Sequence, residues 1–130
     1  MDSQKLENLV RQYFRAVDDE DLGGIFQTLS DDCAFTVETH QVYLRGRDQM
    51  EAMFRRLWDH HQSVRHDRFS FVTNAEVGLV AVQFRVTNTL KNGEEVFKSN
   101  CNFFEVKDGR FCRVNVYMVG ENTLNVPGSD

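Results

Sequence analysis

Proline is nearly missing: the single Pro127 stands close to the C-terminus, which leaves the rest of the chain free of the residue that breaks strands and helices. Cysteine is scarce as well. Cys33, Cys101 and Cys112 are odd in number and have no CxxC spacing, which excludes a disulfide framework and a zinc knuckle and points to a reduced, cytoplasmic setting. No apolar run approaches the roughly 20 residues that span a bilayer, and no charged-then-apolar leader precedes the first helical pattern, so no membrane partner is expected. The 15 Lys and Arg are scattered among 20 Asp and Glu for a net charge of -5, so a nucleic-acid partner lacks its electrostatic footprint.

What is abundant is phenylalanine, 11 residues in a chain of 130, a length that suits one domain with one core. Leu6, Leu9, Val10, Tyr13, Phe14 and Val17 follow the spacing of an amphipathic helix that ends in the acidic run DDED. Leu22, Ile25, Phe26 and Leu29 predict a second, short helix. A first strand is expected in CAFTVET. In GRDQMEAMFRRLWDHH the pair Asp48 and Glu51 has the form of a capping box, and the stripe Met50, Met53, Phe54, Leu57, Trp58 reaches His61.

Beyond this third helix the hydrophobic period changes from 3.6 to 2. FSFV, VAVQFRVTNTL, EVFKSNCNFFEV and RFCRVNVYMV read as four strands joined by NAEVG, KNGE and KDGR, the last two carrying Asn-Gly and Asp-Gly dipeptides of tight hairpins. The expected fold is α+β: about three N-terminal helices packed on a curved, mainly antiparallel sheet, a cone with a central cavity. The core spans about residues 5–119, and the tail 120–130 is expected to be loose or to pack only on a partner. The sheet face away from the helices is partly apolar, which suggests a homodimer formed through it.

YFRAVDDEDL, LSDDCAF, LRGRDQM and NFFEVKDGRF, taken in this order and spacing, resemble the nuclear transport factor 2-like superfamily, in its SnoaL-like and ketosteroid-isomerase-like branch. The resemblance covers about residues 5–119. It implies a cone-shaped cavity and frequent dimers, with chemistry that varies among isomerases, cyclases, dehydratases, epoxide hydrolases and proteins with no known reaction, and no cofactor is expected. Ketosteroid isomerase works with an Asp base and with a Tyr and a protonated Asp as oxyanion donors. By resemblance the Tyr position falls on Tyr13, which is kept, while the two Asp positions fall on Val37 and Cys101. Both acids are replaced.

A proton-transfer site then needs another base. His66, at the start of the strand after helix three, matches a position where cyclase- and dehydratase-like relatives carry a His. His61 extends the apolar stripe and is expected to point inward, either beside His66, orienting it or a water, or as a buried histidine bonded to a backbone carbonyl. Glu38 is turned away from the cavity by strand alternation unless a bulge intervenes. Phe35, Val37, Phe54, Trp58, Cys101, Phe103, Val116 and Met118 are expected to line the hollow. No His or Cys spacing fits a metal motif.

These residues suggest a protein that binds a small hydrophobic molecule and acts as an isomerase, cyclase or dehydratase on a carbonyl or hydroxyl compound. Tyr13 would steady an oxyanion and His66 would move the proton. The rival reading is a non-catalytic binding or interaction module of the same fold.

Overall fold

Asp2 begins the first helix by accepting the Lys5 amide N–H at 2.8 Å, the contact that satisfies a free donor at a helix start. Helix α1 (Ser3–Asp18) follows and buries Leu6, Val10, Tyr13, Phe14, Ala16 and Val17. Asp21 caps α2 (Leu22–Thr28) in the same way through Gly24 N–H at 3.0 Å. The computed structural model describes residues 1–119; the expected tail, 120–130, lies outside the described residues.

Strand β1 (Leu29–Val37) is followed by a 3-10 turn at Glu38–His40 and by β2 (Val42–Arg45), an edge strand too short for its period to show in the sequence. Helix α3 (Arg47–Asp59) buries Met50, Met53, Phe54 and Leu57. Its start differs from the expected capping box. The turn out of β2 needs the positive φ of 88° at Gly46, so the helix begins at Arg47 with Asp48 already inside its first turn, and Gln49 accepts the Arg45 N–H at 2.9 Å.

The meander consists of β3 (His61–Asn74), β4 (Leu79–Leu90), β5 (Glu95–Lys107) and β6 (Arg110–Tyr117). The six strands run in the order β2-β1-β6-β5-β4-β3, all antiparallel except the parallel pair β1 and β6. The three helices pack on one face of this open, curved sheet, the α+β architecture expected. Phe35, Phe54, Phe104 and Phe111, none more than 2 % exposed, fill the space between the layers. Each contributes about 1.5–3 kcal/mol by leaving water.

β3 starts at His61, eight residues before the FSFV segment. Two register shifts, between His61 and Ser63 and between Asp67 and Ser70, hide it from a period-2 reading, with Arg68 left-handed at φ 56° in the second. Each bulge inserts one residue and reverses the alternation. As a result His61, then Val64 and His66, then Phe69 and Phe71 all face the helices although their numbers differ in parity. Among the described residues no helix is long and apolar enough to cross a membrane.

The β5–β6 turn places Asp108 and Gly109 at φ 55° and 81°, the two positive values of a type I′ hairpin. Gly78 is more constrained: at φ 69° an added Cβ would lie 2.7 Å from the Val106 carbonyl oxygen. Gly78→Ala should therefore destabilise the fold by roughly 2 kcal/mol or more, against about 1 kcal/mol for Gly93→Ala, where φ is also positive but the space is open. Urea unfolding of both variants checks the difference, and equal losses would contradict the close packing at Gly78.

Candidate functional site

Asp18 is the last residue of α1, one helical turn beyond Phe14 and so on its inward face. Its Oδ2 accepts the backbone N–H of His66 at 2.8 Å and its Oδ1 lies 2.5 Å from His66 Nδ1. A carboxylate has no proton to give, so Nδ1 carries a hydrogen, and in the neutral ring Nε2 keeps its lone pair. The ring is stacked on Phe14 at 4.5 Å between centroids, and Phe14 in turn meets Tyr13 edge-on at 5.0 Å. His66 is thereby fixed in tautomer and in plane.

A pocket of about 70 Å³ lies between α1, α3 and the concave face of the sheet. Tyr13, His66, Phe35, Phe54, Val116 and Met118 line it, six of the residues expected there, together with Phe14, Asn88, Lys98, Asn100 and Asn102. Burial first, then the neighbouring Cys33 and Asp18, push the Tyr13 hydroxyl well above its usual range, so it stays a neutral phenol able to donate a hydrogen bond. Burial, with Cys112 and Asp32 adding to it against Arg45, likewise pushes the Cys33 thiol up to about 12. That sulfur is a core atom without nucleophilic character at neutral pH.

Five expected site residues lie elsewhere. Cys101 and Phe103 sit on the convex face, because inward positions on β5 are Asn100, Asn102 and Phe104; the expected register is one residue off, and one residue inverts a strand. Val37 is fully buried but does not reach the pocket. Trp58 turns its Nε1 to the Val17 carbonyl at 3.0 Å and stacks on Phe54, joining α3 to α1. His61 is 3 % exposed and does not line the pocket: its Nδ1 lies 2.7 Å from the Leu57 carbonyl oxygen and its Nε2 3.0 Å from Asn88 Nδ2. It is a buried histidine bonded to a carbonyl and makes no hydrogen bond to His66.

Glu38 accepts from Thr36 Oγ1, which also accepts from Asn115 Nδ2 at 2.8 Å, a polar chain on the convex face. The three clustered histidines are dispersed in space by their own contacts, since His60 Nδ1 lies 3.1 Å from the Arg56 carbonyl oxygen. Among the described residues no three His, Cys, Asp or Glu side chains are arranged to hold a metal ion. Asp18, Asn88 and Asn102 did not emerge from the sequence as site residues. The available signals were the four-residue step from Phe14 to Asp18 and the shared parity of Asn88 with Val82, Phe84 and Val86.

Residues 10–114 match the SnoaL-like domain model, and the chain belongs to that family. Solved structures share the fold. A protein named "putative polyketide cyclase" from Xanthomonas campestris pv. campestris is 22% identical with a TM-score of 0.80, over 88% of this chain and 90% of that one. The epoxide hydrolase/cyclase-like enzyme SalBIII, of pyran ring formation in the polyether salinomycin, is 19% identical with a TM-score of 0.79, over 91% and 93%. An epoxide hydrolase of the LEH-like type from M. tuberculosis is 19% identical with a TM-score of 0.73, over 89% and 84%. No curated protein matches the chain in sequence.

The Asp18 contacts make Asp18→Asn a sensitive probe. The backbone N–H of His66 requires an oxygen, so the amide would turn its NH2 toward Nδ1 and force the ring proton to Nε2. Long-range ¹H–¹⁵N correlation should show His66 as the Nδ1–H form in the parent and the Nε2–H form in the variant. An unchanged tautomer would contradict the bridging geometry.

Proposed function

We propose that this SnoaL-like protein binds a small, largely apolar carbonyl or hydroxyl compound in the pocket between α1 and the sheet and moves a proton on it, with His66 as base. The observation that carries the reading is the Asp18–His66 pair. A carboxylate 2.5 Å from Nδ1 orients the imidazole, stabilises the imidazolium that forms on proton uptake, and leaves Nε2 as the acceptor at an apolar, aromatic-walled pocket. His66 takes over the part that an Asp base plays in ketosteroid isomerase. Asp18, not His61, is its orienting partner.

In this reading Nε2 takes a proton from the carbon next to a carbonyl, and the electron pair of the broken C–H bond moves to the carbonyl oxygen. Tyr13, held neutral by burial, donates to that oxyanion from a site where a fixed donor is worth more than in water. The imidazolium then returns the proton to another carbon, which is isomerisation, or gives it to a departing hydroxyl, which leaves as water. No cofactor enters this sequence. The fold likeness to cyclase-type and epoxide hydrolase-type proteins supports the reaction class without naming a substrate.

Proton abstraction is measurable without knowing the natural substrate. Incubated in D2O with a panel of small cyclic ketones and β-hydroxy ketones, the protein should speed exchange at the α-carbon of at least one compound. His66→Ala should lower that rate by roughly 10²–10⁴ while binding persists. Exchange that is equal in parent and variant would overturn the catalytic role and favour a binding module.

Phe97, Phe103, Tyr117 and Val119 are 72%, 45%, 40% and 50% exposed, an apolar convex face that supports a homodimer formed through the sheet. Sedimentation should give twice the mass of the chain, and Phe103→Lys should lower it to the monomer. A parent that sediments as a monomer at micromolar concentration would overturn the dimer.

A further inference from the structure

Asn88 lies on β4 two residues beyond Val86, the residue that pairs with His66, and on the same inward face. It is 4 % exposed and lines the pocket, yet its Oδ1 is buried with no hydrogen-bond partner among the described residues. An unpaired buried oxygen of this kind costs about 1–3 kcal/mol, so the fold keeps it at the expense of stability. In most amides the oxygen and nitrogen could be exchanged to relieve the cost. Here the exchange is blocked.

The block comes from His61. The Leu57 carbonyl, 2.7 Å from Nδ1, accepts only, so Nδ1 holds the ring hydrogen and Nε2 of the neutral ring accepts only. Asn88 must therefore offer Nδ2 to Nε2, 3.0 Å away, and its oxygen is directed away from His61. The chain of donors runs from Asn88 through His61 to the end of α3. A buried histidine with no place in proton transfer thus sets the polarity of one wall of the pocket.

We infer that Asn88 is a specificity-determining residue, that its amide oxygen accepts a hydrogen bond from an O–H group of the bound molecule, and that His61 is the positioning residue that makes it an acceptor. The ligand class is then a hydroxylated apolar molecule, an alcohol or enol at this end and not a ketone. This rests on the reading of the pocket as a ligand site. Diagonal neighbours across an antiparallel pair lie about 7–8 Å apart. Asn88 and His66 are such neighbours, so the anchored hydroxyl would sit one small molecule's width from Nε2. Asn102, 2 % exposed and on β5, also lines the pocket, and its Oδ1 is buried and unpartnered in the same way, a second acceptor for a hydroxyl.

The test is an NMR titration of the full chain with cyclopentanol and cyclopentanone, which share a five-carbon ring and one oxygen but of which only the alcohol offers an O–H. The alcohol should bind roughly five-fold or more tightly, with shifts at the Asn88 side-chain amide. Asn88→Leu, of similar size, should abolish the preference, and His61→Phe should reduce it by freeing the amide to turn. Equal binding of the two probes, or a preference for the ketone, would overturn the inference while leaving the pocket a ligand site. Failure of both probes to shift any pocket residue would overturn the pocket reading and the inference together. Because the variants could unfold, the parent supplies a second measurement: ¹⁵N shifts must report His61 as the Nδ1–H tautomer, and the Nε2–H tautomer would overturn the proposal.

Discussion

The Asp18 carboxylate joins the end of α1 to the middle of β3, and the site depends on that one bridge. An anionic side chain in the last turn of a helix lies at the negative end of the dipole, where it is unfavourable by some tenths of a kcal/mol. The two hydrogen bonds to His66 more than offset this, since bonds to a charged group are worth about 1.5–3 kcal/mol each. The bridge also fixes which nitrogen of His66 is bare. A stabilising contact and a chemical assignment are here the same pair of bonds.

Around this bridge the aromatic rings act as a frame. His66, Phe14 and Tyr13 form a contiguous stack and edge contact, and Tyr13 also meets Phe54, Phe104 and Phe111. These rings fill most of the hollow that a sheet curved around a helix would leave, and what remains is a pocket of about 70 Å³, well below the 300–1,000 Å³ of a drug-sized site. A small void walled by rings and edged by amides selects for few atoms with well-placed polar groups. The inward β5 residues Lys98, Asn100 and Asn102 continue the polar edge that Asn88 begins.

The helices and the meander were legible in the sequence because their periods are long and their turns carry strong chemistry, as in Asn92-Gly93 and Asp108-Gly109. The parallel pairing of β1 with β6 and the short β2 were not, since four residues hold too little pattern. The site was legible only in part. Tyr13 and His66 reach the pocket, as do four of the eight residues expected to line it. Cys101 was placed inward by the resemblance and Phe103 shares its parity, whereas the β5–β6 register shifts between Glu105 and Val106 and turns both outward. Asp18 was read as part of an acidic helix end, since nothing local says which of Asp18 and Asp19 faces a strand 48 residues away in sequence. The bulges of β3 carry no sequence signal of their own, yet they decide that His61 and His66 share a face.

Neutron diffraction on a deuterium-exchanged crystal at neutral pH tests the central claim most directly, because it locates the proton of His66. The account predicts a deuteron on Nδ1, on the line to Asp18 Oδ1, and a bare Nε2 at the pocket. A deuteron on Nε2, or a ring turned away from Asp18, would contradict it.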